Sequence, residues 1–178
     1  MSVVSNEYEI AFQLTRHLIT TGRKQIAFLA GPSFWVNTER QGGYEAALLE
    51  AGLVNMIYQL PAPSIEGGES LAGMLFMGAN RPDGILAYND LAAMGLMKVA
   101  RDLGVRIPED VAVAGIGDIP FATLVSPPLT TATVPSLEIG KTAARLLMQK
   151  LEGLTILEPT VVLPAKLCIR ASTRVEEK

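Results

Sequence analysis

Cysteine, histidine and tryptophan occur once each in these 178 residues, and aromatic side chains make up only 6% of the chain. A single cysteine, Cys168, excludes a disulfide within the chain, and in the strand-like run "VVLPAKLCIR" it reads as a buried structural thiol rather than a nucleophile. The one histidine, His17, lies well inside a helical pattern with no nucleophile beside it in sequence, which favours a packing or helix-surface role over that of a base. So few His and Cys, without clustered carboxylates, leave nothing from which to build a metal site. No metal and no cofactor are expected. Basic residues are not in excess either: 15 Lys and Arg face 18 Asp and Glu, a net charge of −3. That balance argues against a nucleic-acid surface on this segment, since phosphate binding needs clustered cations. The longest basic run, Arg23-Lys24, reads as a solvated turn between a helix and a strand. No apolar run reaches the ~18 residues of a membrane span, and the N-terminus lacks a basic-then-apolar leader. The expectation is therefore no membrane contact and a cytoplasmic location. The opening Met-Ser-Val-Val runs straight into a helix signal, so the chain is expected to be a piece of something larger.

Apolar residues are plentiful, at 49%, and mostly aliphatic. They fall into strand and helix patterns that alternate along nearly the whole length. Asn6 with Glu9 reads as an N-cap with an acid three residues on, followed by the stripe Ile10, Leu14, Leu18 and a stop at Gly22. "QIAFLAG", "NMIYQLP", "GILAY" and "VAVAGI" read as strands, and "TVVLPAKLCI" as a closing strand. Between them, helices open at Asn37 or Thr38, at Ser64, at Asp90 and at Ser136, the one after Ser64 weakened by Gly67 and Gly68. Continuous aliphatic strands alternating with amphipathic helices predict an α/β fold, a three-layer parallel sheet with helices on both faces. Ligands in such sheets sit at the carboxyl ends of the strands. Here those ends are Gly31-Pro32-Ser33-Phe34-Trp35, Pro61 to Ser64, Tyr88-Asn89-Asp90 and Gly117-Asp118-Ile119-Pro120.

Gly115-x-Gly117 invites a dinucleotide-loop reading, but that loop needs a third glycine near Phe121 and a helix starting at once. Pro120 and then "FATLVSPPLTT" follow instead, and there is no Gly-Lys-Ser/Thr phosphate loop, so the phosphate reading fails. No catalytic constellation stands out, and the chain is not expected to be an enzyme. The Asp90 and Asp118 pair remains conceivable, but Asp90 is explained as an N-cap. Arg40 is placed in the first turn of its helix, where the dipole disfavours a cation. Either Glu39 compensates it, or it leans over the strand ends to hold a ligand carboxylate or hydroxyl with its planar fork of donors.

"ILAYNDLAAMGLMKVARDLGVRIPEDVAVAGIGDIPFATLVSPPLTTATVP" resembles the effector-binding core of lac-repressor-type (LacI/GalR) transcription regulators. "TRHLITTGRKQIAFLAGP…ERQGGYEAALLEAGL" before it and "LPAKLCIRAST" after it continue the match over about residues 5–173. The resemblance implies the periplasmic-binding-protein-like type I fold, in which two α/β lobes close on a small molecule, usually a sugar or nucleoside. Arg40 matches the family's effector-holding arginine, and Asn89 the asparagine that hydrogen-bonds sugar hydroxyls. The chain departs from the family where Gly117 replaces the first of two aspartates, leaving Asp118, which is expected to brace its loop. Pro63 stands where a sugar-stacking aromatic is expected, and Val134 where a polar residue often precedes Pro135. Phe34 and Trp35 complete the candidate lining, Trp35 as a cover for the ligand or as packing. Loss of a carboxylate with retention of Arg40 favours a ligand that is itself anionic, such as a sugar acid.

By the same resemblance, residues 1–22 form a helix of the near lobe, 23–134 the C-terminal effector lobe, and 135–178 a returning helix and final strand. The helices at 6–21 and 136–152 would cover a near-lobe sheet that this chain lacks, and their leucines would drive self-association or rearrangement. The helix-turn-helix is also absent, so DNA contact would belong to the parent regulator. The expected role is the effector-sensing and dimerisation module of such a regulator, a homodimer or higher. The alternative is a transport-type sugar-binding protein of the same fold, which a signal peptide upstream would mark.

Overall fold

The computed structural model describes residues 1–154 and 158–174. The segments 155–157 and 175–178, parts of the expected returning region, lie outside the described residues. The chain runs β1 (Ser2–Ser5), α1 (Glu7–Thr20), β2 (Ile26–Ala30), α2 (Trp35–Glu50), β3 (Met56–Gln59), α3 (Ile65–Met77), β4 (Gly84–Ala87) and α4 (Asp90–Asp102). There follow β5 (Ala112–Ala114), a single 3-10 turn at Pro120–Thr123, β6 (Thr131–Thr133), α5 (Ser136–Leu151), β7 (Thr160–Leu163), β8 (Lys166–Cys168) and a turn at Ala171–Thr173.

Four strands form a parallel sheet in the order β3-β2-β4-β5. Parallel bridges from Ala114 to Thr130 and from Gly117 to Thr133 carry it on to β6, which pairs antiparallel with β8. Alternation along each strand divides the core between two faces. Ala27, Leu29, Ile85, Ala87 and Val113 pack under α3 and α4. Ile26, Phe28, Ala30, Leu86, Ala112 and Ala114 pack under α1 and α2. Every residue of β2 is buried, as expected of a strand covered on both sides. The scarce aromatics are concentrated: Phe28 stacks on Tyr44 with centroids 5.4 Å apart, and the Tyr44 hydroxyl donates to Ile26 O and accepts from Met56 N, both at 2.8 Å. Burial is the main force pushing that phenol up to about 12. The glycines expected to weaken α3 have a packing reason. A Cβ at Gly68 would lie 2.1 Å from Ala92 O and one at Gly95 2.0 Å from Ile65 O, so α3 and α4 touch backbone to backbone.

Several expectations are corrected. The helix at residues 1–22 was assigned to a near lobe, yet Ile10, Ala11, Leu14 and Leu18 are at most 2% exposed and lie in the core of this sheet. Its amphipathic stripe is the complement of the β2 and β4 face, so it buries there. β1 was not foreseen, and the closing run divides at Pro164, which has no N–H to give to a ladder. β7 pairs parallel with β1, while β8 crosses to β6. The returning helix α5 packs on β1 and buries Leu146 only, leaving Leu137, Leu147, Met148 and Leu151 more than half exposed. One leucine stripe has therefore joined this lobe and the other stays open. None of the described helices is long and apolar enough to cross a membrane.

Candidate functional site at the carboxyl edge of the sheet

The ends of β2, β4, β5 and β6 bring most of the candidate residues to one edge. α2 begins at Trp35 rather than at Asn37 or Thr38, and Asn37 instead turns its side chain back to accept from Gly31 N at 2.7 Å. Arg40 is thereby in the second turn, so the helix-dipole argument for an ill-placed cation lapses. Its guanidinium lies 4.8 Å from the centroid of the Tyr88 ring and donates through Nη1 to the Tyr88 carbonyl at the end of β4. A Cβ at Gly31 would sit 2.5 Å from the same ring, so that glycine lets the ring lie flat on the end of β2. Tyr88 is thus held between the β2 backbone and Arg40.

The partner of Arg40 is neither Glu39 nor open solvent. Arg40 Nε donates to Glu7 Oε2 at 2.7 Å, with side-chain exposures of 8% and 5%. Ser5 Oγ donates to the other carboxylate oxygen. The premise of an uncompensated arginine awaiting an anionic ligand is overturned, because α1 delivers a carboxylate across 33 positions of sequence. Sequence reasoning singled out Glu9 after the Asn6 cap and gave Glu7 no role. Its pairing depends on α1 packing beside α2, which no local pattern discloses.

Asn89, not Asp90, caps α4. Its Oδ1 accepts from Ala92 N and its Nδ2 donates to Pro63 O, both at 2.9 Å, so the amide ties the β4 and β3 ends together. Pro63 meets Asn89 through its carbonyl. Asp90, expected at the cap, is the first helical residue and is 1% exposed. Its carboxylate accepts from Thr131 Oγ1 at 2.6 Å and from Ile119 N at 2.9 Å. Burial drives its pKa up, against those two hydrogen bonds. This explains Gly115-x-Gly117. A Cβ at Gly115 would lie 2.4 Å from Asp90 Oδ1 and one at Gly117 3.3 Å from Oδ2, and Gly117 has φ of 140°, which side chains rarely adopt. The two glycines make room for a buried carboxylate, not for a phosphate.

Asp118, at φ 52°, is occupied by the protein rather than open to a ligand. Oδ1 accepts from Arg170 Nη2 at 2.6 Å, and Oδ2 accepts from Thr133 Oγ1 at 3.0 Å and Cys168 Sγ at 3.3 Å. Burial opposes its ionisation, but the hydrogen bonds from Arg170, Cys168 and Thr133 together hold the carboxyl below its usual range. Cys168 is half-buried rather than fully buried, and Arg170 is a site-bracing residue that sequence reasoning missed. Phe34 and Trp35 open α2 with 70% and 50% exposure. His17 lies away from the edge, its Nε2 2.8 Å from Thr173 Oγ1, its pKa lowered first by burial and then by Arg174.

An arginine, an asparagine cap and glycine turns thus gather at the carboxyl edge of a doubly covered parallel sheet, the edge at which open α/β folds take their ligands. The chain belongs to the periplasmic binding protein-like domain family, whose model matches residues 15–173. It is 35% identical over 163 residues to the HTH-type transcriptional regulator CelR of Thermobifida fusca, covering 90% of this chain and 48% of that one. A solved complex of the transcriptional regulator CelR with cellobiose shares 33% identity at a TM-score of 0.89, covering 96% of this chain and 53% of that one. The transcription regulator CcpA of Lactococcus lactis gives a TM-score of 0.90 at 31% identity, over 97% of this chain and 64% of that one. These relatives are LacI-family transcriptional regulators, as the sequence resemblance implied. The chain spans about half the length of the curated relatives it matches.

Proposed function

We propose that this chain is the effector-binding part of a LacI-type regulator and that it takes a sugar or sugar acid at the carboxyl edge, with Arg40 and Asn89 as the principal contacts. One observation carries the reading. Arg40 and Asn89 meet at the end of β4, and each keeps donor hydrogens that no described residue accepts: the Arg40 Nη2 group and the second N–H of Asn89. Such fixed donors suit hydroxyl oxygens, whose geometry they select. Phe34 and Trp35, at the start of the helix that carries Arg40, supply exposed aromatic surface of the kind that covers a sugar ring. Gly117, packed over the Asp90 carboxylate, starts the loop that Asp118 and Arg170 brace at the same edge.

The parent protein works in the cytoplasm, reads DNA through a part other than this chain and needs no catalytic group here. Pairing of two copies is supported by an apolar groove of about 640 Å³ between α3, α4 and the 121–125 turn, lined by Ile65, Leu91, Met94, Met97, Phe121 and Leu124. Phe121 and Leu124 are 61% and 75% exposed, and apolar surface of this kind marks an association site. The ligand reading is tested by thermal shift of this chain against neutral mono- and disaccharides and their acids. A sugar should raise the melting temperature of the wild type and not that of Asn89→Ala. Equal shifts for the two proteins would reject the site.

A further inference from the structure

Arg40 is neutralised from inside the protein, which bears on the charge of the ligand. Glu7 and Arg40 are 4% and 7% exposed. Glu7 stands in the first turn of α1, next to the Asn6 cap, where the helix N-terminus favours a negative charge. α1 is pinned by Ile10, Leu14 and Leu18 in the core, and Ser5 Oγ holds the second carboxylate oxygen, so Glu7 does not swing away at small cost. The same edge holds Asp90, with no cation bonded to it among the described residues, and Asp118, whose charge is met by Arg170. An anionic ligand on Arg40 would therefore lie beside a carboxylate already in place, with little water to screen the repulsion.

We propose that Glu7 is the specificity-determining residue of this edge. It occupies the place of a ligand anion on Arg40 and restricts the site to neutral polyhydroxyl ligands, whose oxygens accept from Arg40 Nη2 and Asn89 Nδ2. The inference rests on the reading of the carboxyl edge as the ligand site, and it reverses the preference for a sugar acid that the absent aspartate at Gly117 suggested.

The test uses two probes that differ in a single group, gluconate and sorbitol, each titrated at constant ionic strength into the ¹⁵N-labelled 178-residue chain. The Arg40 Nε–H and Asn89 side-chain resonances are followed in the wild type and in Glu7→Gln. The wild type should respond saturably to sorbitol more strongly than to gluconate. Glu7→Gln should gain about tenfold to a hundredfold in gluconate affinity, the effect of one charged hydrogen bond, with sorbitol affinity changed little. Gluconate binding to the wild type as tightly as to Glu7→Gln overturns the role of Glu7 and leaves the site reading intact. No response at Arg40 or Asn89 to either probe, in either protein, overturns the site reading itself. Should Glu7→Gln not fold, the wild-type arm still decides: preference for sorbitol supports the inference, and preference for gluconate overturns it.

Discussion

Replacing Arg40 with alanine leaves the Glu7 carboxylate inside the protein with the Ser5 hydroxyl as its remaining partner; replacing Glu7 leaves the guanidinium with the Tyr88 ring and carbonyl. At the observed 2.7 Å, two unit charges attract by about 6 kcal/mol at an effective dielectric constant of about 20. Desolvation of both ions takes back much of this when the pair forms, but a single deletion recovers none of the cost of the ion that stays. Each single variant, Glu7→Ala or Arg40→Ala, should therefore lose about 3–5 kcal/mol. Against a domain stability of about 5–15 kcal/mol, that is a large shift of the urea midpoint. The double variant, having no stranded charge, should lose clearly less than the sum of the two, the shortfall being the coupling between them. Urea denaturation followed by circular dichroism measures all four proteins, and the coupling should be nearly independent of salt because the pair is buried. Single variants costing less than about 1 kcal/mol, or a double variant equal to the sum of the singles, would refute the account of a pinned internal pair.

Gly117→Ala should destabilise by about 1–3 kcal/mol, because it forces a side chain into φ of 140° and towards Asp90; a thermal melt equal to that of the wild type would contradict this. Asp118 has its pKa lowered from 3.8 on folding, so its contribution is present above that value and lost as pH falls through the folded value. Arg170→Met should consequently flatten the acid limb of the stability–pH curve, as read by melts between pH 2 and 6. Leu124→Asp should turn any dimer of this chain into a monomer in light scattering, since it places a charge in the apolar groove, and an unchanged mass above that of the monomer would send the interface elsewhere.

The layered order of strands and helices was legible because it depends on local signals. Aliphatic runs such as "QIAFLAG" bury on both faces wherever they pair, and Gly22, Gly52 and Gly104 stop helices by their own φ of 90°, 66° and 72°. Helix starts were less legible. At Asn37, Asp90 and Ser136 the side chain that looked like a cap lies inside the helix, displaced by Phe34, Asn89 and Pro135. Two of those side chains have a stronger tertiary use, Asn37 on Gly31 N and Asp90 on the 119 amide and Thr131. The charged partners at the edge were illegible for the same reason. Glu7 and Arg40 are separated by 33 positions and Asp118 and Arg170 by 52, and only the packing of α1 and β8 onto the sheet brings them together. The meaning of Gly115-x-Gly117 likewise depended on knowing that Asp90 is buried beneath it.

The central claim, that a neutral sugar binds at the carboxyl edge, is tested most directly by mapping amide and side-chain resonances of the chain while neutral mono- and disaccharides, cellobiose among them, are added. The account predicts saturable changes centred on the Arg40 Nε–H, the Asn89 side-chain amide, Trp35 and the 117–119 backbone, with β3 and the amino-terminal ends of the strands unaffected. Changes confined to the α3–α4 groove, or saturable binding that leaves Arg40 and Asn89 unmoved, would contradict it.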